Sequence, residues 1–298
     1  NDVTLANTAT LDQNGFDLAY DVIFDGGTLT TGSQNADQRI DGGLDVKSQG
    51  TLLGQTSGMN VYGALSGSGT LNIAGINGAS FFGDTSGFDG LLSVKDGSQL
   101  VFDSAQDTTL AANLASEGNS KVIKQGDSAL TLSGDNHLYT NEFAVQGGTL
   151  TLGSTTAATG GDIRMTAGTL KLDSDNNISL SNLAAGSTVD LHGHSGTLNI
   201  KANAAGSTIT SSDADNESAL NLLVNTATSL NSTITGQNIH LNKQGTGTLT
   251  LAAANTFSGD TLLSGGNTLL GNSQALGDTM NDVTLANTAT LDQNGFDL

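Results

Sequence analysis

The chain has 298 residues, with no cysteine, proline or tryptophan, 40 glycines, and 9 basic against 29 acidic residues for a formal charge of −20. That balance excludes nucleic acid, whose binding needs Lys and Arg to neutralise phosphate, and direct insertion or docking at an anionic membrane. Missing cysteines exclude a disulfide framework and suit passage through an oxidising periplasm, and an average chain of this length would hold about 15 prolines, each of which removes a ladder hydrogen bond.

In chain order the first element is residues 1–18, Asn-Asp-Val-Thr-Leu-Ala-Asn-Thr-Ala-Thr-Leu-Asp-Gln-Asn-Gly-Phe-Asp-Leu, which return unchanged as residues 281–298. The expected organisation is one tandem-repeat unit over 1–280, with 281–298 the start of the next identical unit. A segment duplicated at a cloned boundary would leave the same match. No stretch reads as a signal peptide or a spanning helix, so targeting and anchoring parts are expected outside this window.

The next recurring element is a short alternating strand after a glycine. It starts at Gly27, Gly50, Gly69, Gly148, Gly168, Gly196 and Gly247, each followed by Thr-Leu. Alternation sends Leu150 and Leu152 to one face and Thr149 and Thr151 to the other. Neighbouring copies lie about 19–28 residues apart, the length of one solenoid coil. The fold class is therefore all-β, a right-handed parallel β-helix of about 12–14 coils, rising ~4.8 Å per coil. Aliphatic ladders fill the interior, and Asn turns the bends because it tolerates left-handed dihedrals. An antiparallel sandwich is the runner-up. It would need regular hairpins, yet Asn-Gly occurs only at Asn14-Gly15 and Asn77-Gly78.

Two segments break the strand pattern and are expected to leave the coil as loops, residues 33–41 and 211–217. Loops on a rigid scaffold carry recognition, so Asp37, Arg39, Asp41, Asp213, Asp215 and Glu217 are the candidate adhesive surface.

No residue set specifies catalysis. Gly126-Asp127-Ser128-Ala129 approaches a serine-protease nucleophile context, but His137, His192, His194 and His240 all follow it, whereas that triad order needs an upstream histidine. Asp173/Asp175 and Asp213/Asp215/Glu217 are acid clusters read as solvated loop charges. Asp173-Ser174-Asp175-Asn176-Asn177 starts like a calcium loop but has Ile178 and Ala184 where Gly and Glu are required. His192-Gly193-His194 offers two ligands where a metal site wants three or four. No enzyme activity and no cofactor are expected.

Residues 243–271 read Lys-Gln-Gly-Thr-Gly-Thr-Leu-Thr-Leu-Ala-Ala-Ala-Asn-Thr-Phe-Ser-Gly-Asp-Thr-Leu-Leu-Ser-Gly-Gly-Asn-Thr-Leu-Leu-Gly. This resembles the passenger-associated transport repeat of bacterial autotransporters. A looser copy begins Lys124-Gln125-Gly126, continues Leu130-Thr131-Leu132 and closes at Gly147-Gly148-Thr149-Leu150-Thr151-Leu152-Gly153. It has Asn136-His137-Leu138-Tyr139 where Asn-Thr-Phe-Ser would stand. A third echo runs from Gly67 to Val94. The resemblance implies an AIDA-like passenger displayed outside a Gram-negative outer membrane. It implies an adhesin repeat serving self-association, biofilm formation or host attachment, with identical passengers on neighbouring cells or a host extracellular-matrix protein as partner. A passive stalk spacing a distal tip is the alternative, and a β-helical polysaccharide-active enzyme stands last. The motif's own residues read as structural, with Phe257 filling a coil corner and glycines permitting the bends.

Overall fold

The computed structural model describes residues 2–32, 38–158 and 160–297, and among these the regular elements are strands, with no helix. None of the described segments is therefore a helix long and apolar enough to cross a membrane, which says nothing of a β-barrel. The chain divides into two compact units, Asn1–Asp162 and Ile163–Leu298.

In the first unit every described strand pair is parallel, and the strands stack in long sheets. One sheet holds Val3–Ala6, Val22–Asp25, Leu44–Val46, Leu65–Gly67 and Gly87–Phe88. A second holds Thr10–Asp12, Thr28–Thr30, Gln49–Leu53, Thr70–Ala74, Leu91–Val94 and Asn113–Ser116. A third runs from Gln38–Ile40 through Met59–Val61, Ala79–Phe81, Gln99–Phe102 and Lys121–Lys124 to Phe143–Val145. Consecutive rungs place like on like: Val22 pairs Leu44 and Leu44 pairs Leu65, while Leu29 pairs Leu52 and Leu52 pairs Ile73. These side chains are fully buried. Parallel pairing in register is what lets a period-2 pattern with few aromatics build a core, because each aliphatic side chain rests on its equivalent one coil away.

The second unit repeats this plan. Strands Ile163–Met165, Asn176–Leu183, Ser195–Ile200, Ser218–Leu223, Ile239–Gln244, Thr261–Leu263 and Val283–Leu285 form one sheet. Thr169–Leu172, Thr188–Asp190, Thr208–Thr210, Thr233–Gly236 and Thr256–Phe257 form another. Both units are thus parallel β-solenoids, the fold class expected from the alternation.

All seven glycine-led segments are strands, but they do not share one sheet. Thr169 pairs Thr188, 19 residues on, so the interval from Gly168 to Gly196 is not a coil. The strand Ser195–Ile200 lies in the neighbouring sheet and pairs Asn176–Leu183 instead. Gly-Thr-Leu marks entry to a strand, and the residues between strands decide which face it joins. Asn takes the left-handed bends as expected, at Asn7, Asn14, Asn238, Asn287 and Asn294, together with His192, among the described residues.

Candidate functional site

Two interior constellations of matching design stand out, one in each unit. In the first unit the column Phe81–Phe102–Lys124–Val145 runs through the core, so a lysine occupies a position held by apolar residues in adjacent coils. In the second, Lys243 stands between Leu222 and Leu263. Both lysines are buried, at 1% and 0% exposure. The ammonium of Lys124 donates to the carbonyls of Gln125 (2.6 Å), Gly126 (3.3 Å) and Gly147 (3.4 Å). That of Lys243 donates to Gly245 (3.0 Å), Gly247 (2.7 Å) and Gly265. Each therefore ties its own bend to the bend of the next coil. Burial pushes both ammonium groups below the ordinary lysine range.

The glycine beside each ammonium is required. Gly148 and Gly266 have φ of 60° and 63°, and a Cβ there would sit 2.8 Å and 2.6 Å from the lysine nitrogen. Twelve residues after each lysine a buried asparagine links three coils. Asn136 Oδ1 accepts from the Leu114 amide at 2.9 Å, and its Nδ2 donates to the Ala157 carbonyl at 3.0 Å. Asn255 repeats this with the Ile234 amide (2.9 Å) and the Ala275 carbonyl (2.6 Å). A buried aromatic follows, Tyr139 or Phe257, each at 0% exposure. Tyr139 takes the Phe257 role one residue later in its copy, and its hydroxyl donates to the Glu142 carbonyl at 3.1 Å. Phe257 fills the coil interior, as the sequence reading expects.

The alternation in Lys121-Val122-Ile123-Lys124 and in Ile239-His240-Leu241-Asn242-Lys243 already puts Lys124 and Lys243 on the inward face. Charge alone argues for exposure, and the pull of that rule hides the signal. What overrides it is a ring of bend carbonyls that returns the hydrogen bonds lost from water.

The candidate surface residues separate into three situations. Asp37 lies outside the described residues. Arg39 does not sit in a loop: Gln38–Ile40 is a strand pairing Met59–Val61, with Gln38 and Ile40 buried and Arg39 facing out. In the interior the Gln38 Nε2 donates to the Thr31 carbonyl at 2.9 Å, while its Oε1 is buried without a partner. Arg39 pairs with Asp41 at 2.8 Å and covers the Tyr62 ring at 4.0 Å. Tyr62 in turn stacks on Phe82 of the next coil, centroids 4.6 Å apart. The hydrogen bond to Asp41 holds the Arg39 guanidinium above its ordinary value.

Residues 211–217 form the expected loop in the second unit. Asp213 organises it, accepting from Asn216 Nδ2 (2.8 Å) and from the Asp215 and Asn216 amides. Those bonds hold its carboxyl below the ordinary aspartate range, the Asn216 side chain first. Asp215 is exposed, and Glu217 reaches His240 at 3.9 Å. The two candidate segments belong to different units. Because the Asp213 carboxylate is favoured in the fold, its contribution is present above the ordinary value of 3.8 and fades as pH falls through the lower folded value. Asn216→Ala is expected to bring the Asp213 pKa back toward 3.8, read by carbon-detected NMR titration of that carboxyl.

His192 and His194 go to separate partners, with His192 Nδ1 at 2.9 Å from Ser212 Oγ and His194 Nδ1 at 3.8 Å from Asp175. Asp173 accepts from Lys171 at 3.1 Å, and Asp175 accepts the Ser195 amide at 2.8 Å. No group of three or more His, Cys, Asp or Glu able to hold a metal occurs among the described residues. Ser128 Oγ donates to the Ser104 carbonyl.

A different surface is built by the second unit. Thr169, Thr188, Thr208 and Thr233 pair in register on four successive coils, each half-buried and each followed by a buried Leu, Val or Ile. Two residues along, the column begins with Lys171 and Asp190 and continues as Thr210, Thr235 and Thr256, with the Thr256 hydroxyl 2.9 Å from that of Thr235. The result is a hydroxyl-bearing face, free of charged residues on the strands from Thr208 to Phe257 and repeating at the inter-strand spacing of ~4.8 Å.

The lysine–asparagine–aromatic–glycine constellations coincide with the two segments, residues 122–152 and 241–270, that match the Passenger-associated-transport-repeat family. The chain is also similar to the adhesin BmaC autotransporter of Brucella suis biovar 1 (strain 1330), at 44% identity over 68 residues. That stretch is 23% of this chain and 2% of the Brucella protein, so the chain spans only a small part of this relative's length. No solved structure matches. With two transport repeats folded alike around a buried lysine, and a shared stretch with an adhesin, this chain is similar to autotransporter passenger adhesins.

Proposed function

We propose that this chain is an adhesive repeat of an autotransporter passenger, carried in tandem copies on the surface of a Gram-negative bacterium. It acts by many weak lateral contacts, with identical passengers on neighbouring cells as first partner and a host matrix protein as second. The observation that carries the reading is the double threonine column of the second unit. A chain of charge −20 repels its own copies, so lateral contact must form where the surface is uncharged. Threonine hydroxyls both donate and accept, so such a column complements itself. Repetition over tandem copies supplies avidity without any single tight site. The similarity to an adhesin autotransporter supports the same reading.

The test is settling of non-clumping bacteria that display several units, against the same cells displaying none. Displaying cells are expected to clump and sediment, and soluble unit to block this. Thr208→Asp places a negative charge on the column and is expected to abolish settling while leaving circular dichroism unchanged. Cells that stay suspended overturn the self-association reading and leave host attachment or a passive stalk.

A further inference from the structure

The duplicated segment appears in two different environments within one chain, and its local shape is the same in both. Asn7 and Asn287 have φ of 55° and 54°, Asn14 and Asn294 of 48° and 51°, and Gly15 and Gly295 of 90° and 83°. The turn amides match as well: Ala9 donates to Ala6 at 3.0 Å and Ala289 to Ala286 at 3.1 Å. Asn14 and Asn294 each donate to the aspartate two residues earlier at 2.9 Å. The described residues of the segment therefore share their bends and turns in both copies.

What differs is the side on which it is paired. Residues 1–18 are paired by the rung that follows, Val3 with Val22, Leu5 with Phe24 and Leu11 with Leu29. Residues 281–298 are paired by the rung that precedes, Val283 with Thr261, Leu285 with Leu263 and Leu291 with Thr268. The amides used are complementary. At the first copy Val3, Asn7 and Gln13 donate to Asp21, Asp25 and Thr30. At the second, Ala286 and Thr290, which are positions 6 and 10 of the segment, donate to Leu263 and Gly266. One set points forward and the other back. The apolar side chains divide in the same way. Leu5 is 4% exposed under its following rung, whereas Leu285, the same residue without one, is 48% exposed. Phe16 is 73% exposed, whereas its equivalent Phe296 is half-buried.

We infer that the segment is the coupling rung between successive copies: residues 261–270 of one copy pair its back edge, residues 22–30 of the next pair its front edge, and the solenoid crosses the junction without a linker. The partner is a second copy of this chain. This inference rests on the tandem reading but not on adhesion. The open edge at either copy, a pairing hazard in isolation, is then the surface made for the adjoining unit.

The natural absence of cysteine makes thiol labelling a clean probe. Leu285→Cys is placed in the 298-residue chain and in a chain where Leu298 runs on into a second copy of residues 19–298. Labelling with an aromatic disulfide is expected to be fast in the first and at least about tenfold slower in the second, matching Leu5→Cys in the 298-residue chain. Thr284→Cys, exposed as Thr4 is, is expected to label fast in both chains. Equal rates for Leu285→Cys in the two chains overturn the inference. Should the cysteine itself unseat the rung, thermolysin digestion of the unsubstituted doubled chain decides: resistance across residues 281–298 upholds the continuous junction, and cleavage there overturns it. Neither readout depends on clumping, so loss of the adhesive reading leaves this result intact, and the reverse.

Discussion

Replacing Lys243 by alanine is expected to destabilise its coils by about 3–5 kcal/mol, because it strands buried polar partners and opens a cavity at once. Three half-buried carbonyls, of Gly245, Gly247 and Gly265, lose their common donor. Lys243→Met keeps most of the column's volume between Leu222 and Leu263 but restores none of those bonds, so it is expected to fall between wild type and alanine. A solenoid does not unfold as one unit, so the readout is local hydrogen exchange in strands Ile239–Gln244 and Thr261–Leu263 alongside urea unfolding. Lys124→Ala should act the same way in its own unit. The charge leaves a second signature. Burial lowers the folded pKa of Lys243 from 10.5, so between the folded value and 10.5 the unfolded chain binds more protons. Stability from this group therefore rises with pH across that window and levels off above 10.5, and subtracting the Lys243→Met profile isolates it from tyrosine titration.

Asn255→Ala is the second large effect, about 2–4 kcal/mol, since each buried backbone group left without its partner costs about 1–3 kcal/mol. The Ile234 amide and the Ala275 carbonyl lie on different coils, and Asn255 satisfies both. Its loss is expected to raise exchange on both neighbouring coils, not only on its own. Asn255→Asp discriminates: the carboxylate still accepts from Ile234 but cannot donate to Ala275, so exchange should rise mainly toward Ala275. Asn136 predicts the same pattern at Leu114 and Ala157. If alanine at either position changes only its own coil, the asparagines are local corner residues and not inter-coil ties.

The correspondence between sequence and structure follows a physical divide. Strand identity was legible because it is local: Thr-Leu after glycine opens an alternating stretch whatever surrounds it, and all seven such segments are strands. Asparagine bends were legible for the same reason. Coil length was legible only where neighbouring copies enter the same sheet in step, as from Thr28 to Thr51; it was two residues short at Gly50 to Gly69, where Thr51 pairs Asn72, and it failed at Gly168 to Gly196, which enter different sheets. The acid-rich stretch around Arg39 looked like a loop, since Gln and Arg rarely enter a coil interior. The Gln38 bond to Thr31 makes that strand possible, and no local pattern announces it.

The sequence by itself determined the all-β class, the parallel stacking and the transport-repeat resemblance, because each depends on spacing within one or two coils, and it showed the eighteen-residue duplication by identity alone. Tertiary structure decided which polar residues are interior and which face gathers the threonines. Asn136 and Asn255 are inside because partners about twenty residues away in the chain come within hydrogen-bond distance, and Lys124 and Lys243 add one such partner, Gly147 or Gly265, to the carbonyls of their own bends; only the closed coil brings these together. The threonine columns are a face only because Thr169, Thr188, Thr208 and Thr233 fall in register despite intervals of 19, 20 and 25 residues. Intervening loops absorb the difference, and ladder hydrogen bonding, not residue count, sets the repeat along the coil.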